Sequence, residues 1–132
     1  MLGIVYFSNY SGNTKRFVEK LDRESFQIPI DDSQELLLED GKYVLFAPTY
    51  GGGSVKSAIP RQVKKFLNVE SNRKKIIGVV GFGNTNFGEH YCKAADLIAD
   101  KLHILVLGRV EIFGTEEDVN KINERLAMLD DK

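Results

Sequence analysis

The sequence predicts an α/β fold: an open five-stranded parallel sheet in the strand order 2-1-3-4-5 with helices on both faces. Three observations lead there. Apolar runs of strand length recur between amphipathic helical stretches along the whole chain. These runs do not alternate with polar residues, as strands covered on both faces require. Polar or glycine-rich turns follow the first, third and fourth runs, which is where a sheet of this kind binds ligands.

The first run, Leu2 to Phe7, enters the turn Ser8-Asn9-Tyr10-Ser11-Gly12, and a helix is expected over Thr14 to Leu21 with Phe17, Val18 and Leu21 on its buried stripe. Ser25 to Ile30 reads as a weak strand interrupted by Pro29, and Asp31 to Asp40 as an acidic connection carrying Leu36, Leu37 and Leu38. Lys42 to Ala47 is a third strand closed by Pro48. Pro60 suits the first turn of a helix that buries Val63, Phe66 and Leu67. Lys75 to Phe82 is the most apolar strand; the turn Gly81 to Gly88 follows, then a helix from Glu89 to Lys101 with Cys92, Ala95, Ile98 and Ala99 inward. Ile104 to Phe113 supplies the fifth strand, bent at Gly108. Thr115 with Glu116, Glu117 and Asp118 opens a last helix as an N-cap with an acidic first turn, and Ile122, Leu126 and Leu129 continue its buried face.

Composition narrows the function classes. At 132 residues and 42% hydrophobic content, the chain suits one domain spanning residues 1–132. A net charge of -1 gives no field to draw it to nucleic acid or an anionic membrane, so neither is an expected partner. No apolar run approaches the roughly 20 residues that span a bilayer. The sole cysteine, Cys92, cannot form an internal disulfide and no leader-like segment opens the chain, so a cytoplasmic home is expected.

The three turns carry the chemistry. Ser8, Asn9, Ser11, Gly12, Asn13 and Thr14 place hydroxyls, amides and a flexible backbone just before a helix, a cradle for an anion; read blandly, the same residues only turn the chain and cap the helix. The Lys-Ser/Thr pair of a P-loop is missing, which favours a monophosphate over a magnesium-bound triphosphate. Pro48-Thr49-Tyr50-Gly51-Gly52-Gly53 lets backbone approach a flat ligand closely, and Tyr50 can stack on a ring, although a flexible turn with a rim tyrosine has the same composition. Gly83-Asn84-Thr85-Asn86-Phe87-Gly88 lacks the third glycine of a dinucleotide fingerprint and follows the fourth strand rather than the first, so it reads as the far wall of a pocket. A phosphate cradle, a glycine platform and a polar, aromatic wall converge on a phosphorylated planar cofactor, and FMN fits best. A receiver domain shares the topology but needs acids where Ser8 and Asn9 stand.

These residues resemble the flavodoxin-like NrdI proteins that accompany the class Ib, manganese-using ribonucleotide reductase. The likeness covers nearly the whole chain: Tyr6-Phe7-Ser8 with Gly12-Asn13-Thr14 and Arg16-Phe17-Val18, Pro48 to Gly53, Pro60-Arg61-Gln62-Val63, Gly83 to Gly88, and Gly114-Thr115 with Asp118-Val119. The resemblance implies a flavodoxin-like sheet and an FMN protein that, when reduced, turns O2 into superoxide for the small subunit, where a dimanganese-tyrosyl radical cofactor is assembled. An electron donor of unidentified kind is implied as well. By position, Ser8 to Thr14 would hold the phosphate, Tyr50 to Gly53 and Asn84 to Gly88 would flank the isoalloxazine, and Tyr91 would approach the ring. Two departures stand out: Ser54 to Ile59 is short beside the insertion of some relatives, and Phe82 stands where a small residue is usual. A general electron-carrying flavodoxin and a non-redox mononucleotide-binding module are the competing readings.

Other residues have plainer readings beside sharper ones. Lys56, Arg61, Lys64 and Lys65 form either a solvated helix face or a docking face for an acidic partner. Cys92 sits in an apolar stripe and reads as core. His90 and His103 belong to no metal-ligand constellation, and no metal site is expected.

No Asp or Glu occurs from Gly41 to Val69 or from Asn72 to Gly88, so neither ring-flanking loop carries a sequence-local acid. Carboxylates near a flavin that becomes negative on full reduction oppose the last electron. Stepwise anaerobic titration is therefore expected to place the second reduction step at a less negative potential than in an acidic carrier flavodoxin; a very low second potential would contradict this.

Overall fold

The computed structural model describes residues 2–9, 11–31, 33–49, 58–83 and 92–130. Its strands are β1 (Gly3–Tyr6), β2 (Ser25–Gln27), β3 (Tyr43–Pro48), β4 (Ile76–Gly83) and β5 (Leu105–Glu111), and all pairings are parallel in the order β2-β1-β3-β4-β5. The predicted sheet is thus the observed one. Its helices are α1 (Asn13–Glu19), α2 (Arg61–Asn68), α3 (Glu70–Arg73), α4 (Lys93–Leu102) and α5 (Glu116–Asp130).

The unbroken apolar strands have a direct consequence in packing, because each must be covered twice. One face carries Ile4, Tyr6, Val44, Phe46, Val80 and Phe82 against Phe17 and Val18 of α1 and Ile122 and Leu126 of α5. The other carries Val5, Leu45, Ala47 and Val79 against Val63, Phe66 and Leu67 of α2 and Ala95 and Ile98 of α4. Gly81 shows how tightly α4 is laid down: a Cβ there would come within 2.6 Å of the Ala95 Cβ, so only glycine admits the helix at this depth.

Several boundaries move, each for a physical reason. Pro48 ends β3 from within the strand; its missing amide is harmless because the Thr49 amide makes the last bond, to the Phe82 carbonyl at 2.8 Å. Pro60 is the N-cap of α2, with extended ψ of 142°, rather than part of its first turn. α4 starts at Lys93 instead of Glu89: Cys92 adopts left-handed φ of 55°, which ends any helix running through it. The bend in β5 falls beside Gly108, where the register with β4 skips Leu107. Thr115 and Asp118 cap α5 reciprocally, the Asp118 amide donating to Thr115 Oγ1 at 3.2 Å and the Thr115 amide to Asp118 Oδ2 at 2.9 Å.

The acidic connection after β2 forms neither helix nor strand among the described residues, and side chains from α2, α3 and the chain beyond them hold it down. Asn72, fully buried, accepts from the Leu38 amide at 2.9 Å and donates to the Leu36 carbonyl at 2.8 Å. Lys75 Nζ donates to the Leu38 carbonyl at 2.8 Å, and Gln62 Nε2 to the Ile30 carbonyl at 3.0 Å. These bonds replace the ladder that regular structure would have supplied to a buried stretch of backbone.

The end of α5 is tied to β1 and the α1–β2 turn. Asp130 accepts from the Leu2 amide and from Arg23 Nη2, both at 2.7 Å, and Arg23 Nη1 reaches the Leu2 carbonyl at 3.2 Å. The Arg23 guanidinium, followed by the Leu2 amide, lowers the Asp130 carboxyl to about 2. A depressed carboxyl contributes stability above its unfolded value of 3.8 and loses it as pH falls toward 2. Asp130→Asn is expected to cost about 1 kcal/mol at pH 7 and to flatten the loss of stability between pH 4 and 2, as read by thermal melts across pH.

Candidate cofactor cleft

All five strands point the same way, so the turns after β1, β3 and β4 gather at one end of the sheet. Between β1 and β3 the direction of the next crossover reverses, and the diverging turns leave a crevice. A cleft of about 230 Å³ lies there, lined by Asn9, Ser11, Asn13, Pro48, Thr49, Phe82, Gly83 and Ile112. A larger cleft of about 530 Å³ runs between β5 and α5, but its cations are already engaged: Arg109 with Asp96 at 2.5 Å, Lys121 with Glu117 at 3.2 Å, and Arg125 with the Leu107 carbonyl. The sheet-end cleft carries hydroxyl and amide groups and no charged side chain among its described lining.

The turn after β1 is preorganised by its own bonds. Asn9 Oδ1 accepts from the Ser11 amide at 3.1 Å and from Ser11 Oγ at 2.5 Å, and the Gly12 amide donates to the Asn9 carbonyl at 3.0 Å. Gly12, at φ of 72°, is the N-cap of α1 and offers no side chain to cap it. Ser8 does so from within the core, its Oγ accepting from the Lys15 amide at 3.2 Å. Thr14 is not a cap but the second residue of the helix, and it is buried. The first amides of the helix, those of Asn13 and Thr14, are of the kind a helix leaves without internal partners.

Around the cleft, Thr49 does structural work: its Oγ1 accepts from the Ala94 amide at 3.1 Å and so caps α4, which Cys92 cannot do. Phe82 turns its ring into the core, edge-on to Phe17 at 5.2 Å, while still contributing to the lining. Cys92 is fully buried, with Sγ 3.9 Å from the Val110 carbonyl, as a core residue should be. The described lining holds no carboxylate. The sheet does place one acid nearby that chain order concealed, since Gly83 lies in register with Glu111.

The expected residues Tyr50, Gly51, Gly52, Gly53, Asn84, Thr85, Asn86, Phe87, Gly88 and Tyr91 lie outside the described residues, as do Lys56 and His90. Ser8, Asn9, Ser11, Gly12, Asn13, Thr14, Pro48, Thr49 and Gly83 do converge at one end of the sheet. Sequence reading missed two neighbours. Arg16 donates to Asn13 Oδ1 at 2.7 Å and its guanidinium stands 3.4 Å from where a Gly12 Cβ would be, a position that i, i+3 and i, i+4 spacing foretells. Ile112, from the turn after β5, had no local signal at all.

A doubly wound parallel sheet with a crevice at its switch point, whose described lining is uncharged and rich in hydroxyls and amides and has the Arg16 guanidinium beside it, defines a flavodoxin-type mononucleotide-binding protein. The family model described as "NrdI Flavodoxin like" matches residues 5–124, and the chain belongs to that family. It is similar to Protein NrdI of Photorhabdus laumondii, 48% identical over 121 residues covering 92% of this chain and 86% of that protein. Protein NrdI of Beutenbergia cavernae is 47% identical over 127 residues, 96% of this chain and 92% of that one. Among solved structures, oxidised flavodoxin 2 from Bacillus cereus superposes with a TM-score of 0.64 at 23% identity, covering all of both chains, a likeness of fold. The cofactor of this flavodoxin-like family is FMN, and the family serves ribonucleotide reductase. The donor set fits that cofactor: neutral hydroxyls and amides beside a guanidinium suit a phosphate, and no described lining residue repels it. Among the described residues no helix is long and apolar enough to cross a membrane.

Thr49→Val removes the acceptor for the Ala94 amide while keeping side-chain volume. It is expected to cost about 1 kcal/mol and lower the apoprotein's thermal midpoint by about 3 to 5 °C, as measured by circular dichroism.

Proposed function

We propose that this chain activates the small, radical-bearing subunit of a class Ib ribonucleotide reductase, delivering superoxide made from O2 so that the dimanganese-tyrosyl radical cofactor is assembled. When bound, FMN in its reduced form would supply the one-electron reductant for O2. The observation that carries the reading is the crevice at the strand-order switch in a chain of the NrdI family, with no carboxylate in its described lining.

In this reading the chain's own groups hold the cofactor and tune it. Ser8, Asn9, Ser11, Gly12, Asn13 and Thr14 cradle the phosphate, with hydroxyl and amide donors, while Arg16 adds positive charge at its rim. Asn9 is already fastened to Ser11, so the cradle loses little freedom when it closes on an anion. Pro48, Thr49 and Gly83 form the described wall; Tyr50 to Gly53, Asn84 to Gly88 and Tyr91 are assigned to the ring by position in the chain. No carboxylate belongs to the described lining, and Glu111, in register with Gly83, is the acid the sheet brings nearest to oppose the last electron. Arg61, Lys64 and Lys65 lie exposed along α2, and Lys65 Nζ donates to the Gln34 carbonyl at 3.3 Å, so that face also serves the fold.

The test mixes the anaerobically reduced protein with a manganese-loaded class Ib small subunit, admits O2 and reads the tyrosyl radical by electron paramagnetic resonance. A radical signal that superoxide dismutase suppresses is expected. A reduced protein that yields no radical yet passes electrons to other reductases would make it a general carrier, and a colourless protein that binds no FMN would remove both readings.

A further inference from the structure

Among the described residues, four that are not glycine have positive φ: Asp22, Cys92, His103 and Ile112. Asp and His visit this region readily, and Cys92 is wholly buried, so its surroundings compensate. Ile112 has neither excuse. It is β-branched, sits at φ of 55°, leaves 39% of its surface exposed and belongs to the lining of the sheet-end cleft.

The turn that carries it is clamped on both sides, which is how strain of this kind persists. The Ile112 amide donates to the Gly83 carbonyl at 2.7 Å, joining it to the last residue of β4. Two residues on, Gly114 has φ of 75°, and a Cβ there would meet Val110 Cγ1 at 2.7 Å and Phe17 Cδ2 at 2.8 Å. The Gly114 amide closes the turn onto the Glu111 carbonyl at 2.9 Å. The backbone of residue 112 is therefore dictated from β4 and from α1, and Ile112 lines the cleft together with Asn9, Ser11 and Asn13.

We infer that Ile112 is a cofactor-contacting residue of the cleft, its strained backbone holding an apolar wall against a bound FMN. This rests on the cleft being the FMN site. The strain weakens the empty protein, and the contact strengthens the loaded one. Asn tolerates the left-handed region and carries no apolar surface, so Ile112→Asn separates the two effects.

Apoprotein melts and FMN titrations, read by quenching of flavin fluorescence, provide the test on the wild type, Ile112→Asn and Ile112→Gly. Both variants are expected to melt higher than the wild type when empty and to bind FMN about tenfold more weakly. Unchanged FMN affinity, or an apoprotein that melts lower in both variants, overturns the inference. Should one variant fail to fold, the other decides. A wild type that binds no FMN would sink the cofactor reading itself, whereas a tight-binding wild type with indifferent variants sinks only the role of Ile112.

Discussion

Everything in this molecule depends on the reversal of strand order between β1 and β3. Parallel strands need long crossovers, and the crossover hand is nearly invariant, so the chain covers one sheet face on one side of that point and the opposite face on the other. The turns leaving β1 and β3 consequently separate instead of packing together. The crevice is a consequence of winding, and the residues of the turns only furnish it.

The furnishing is economical because several side chains serve fold and site together. Ser8 caps α1 from the core, Thr49 caps α4, and Phe82 buries its ring between Phe17 and Phe46 while closing the cleft floor. A side chain locked by packing holds its polar atom where a ligand needs it. The same coupling means that substitutions at these positions report on stability and cofactor binding at once.

Away from the site, the structure spends buried polar groups on segments that secondary structure does not reach. Asn72 and Lys75 stitch the irregular connection after β2 to the layer beneath, and Asp130 with Arg23 fastens the last helix to the first strand. Each replaces hydrogen bonds that the backbone would otherwise lack in a dry setting.

Strand order, the two-sided burial of β1, β3 and β4, the capped last helix and the polar turn from Ser8 to Thr14 were legible in the sequence, because each rests on periodicity or on contacts a few residues apart, whereas the four-residue α3 is too short to show a period. Residues brought together by the sheet were not. Glu111 beside Gly83, Ile112 at the cleft, Thr49 beneath α4 and Asn72 under the 36–38 segment are neighbours across long stretches of chain, and no local pattern encodes them. The sequence by itself determined the topology and the chemistry of each turn. Only the tertiary structure decided which turns meet and what strain the meeting imposes, because register between strands and the depth of a helix on a sheet are set by packing at a distance.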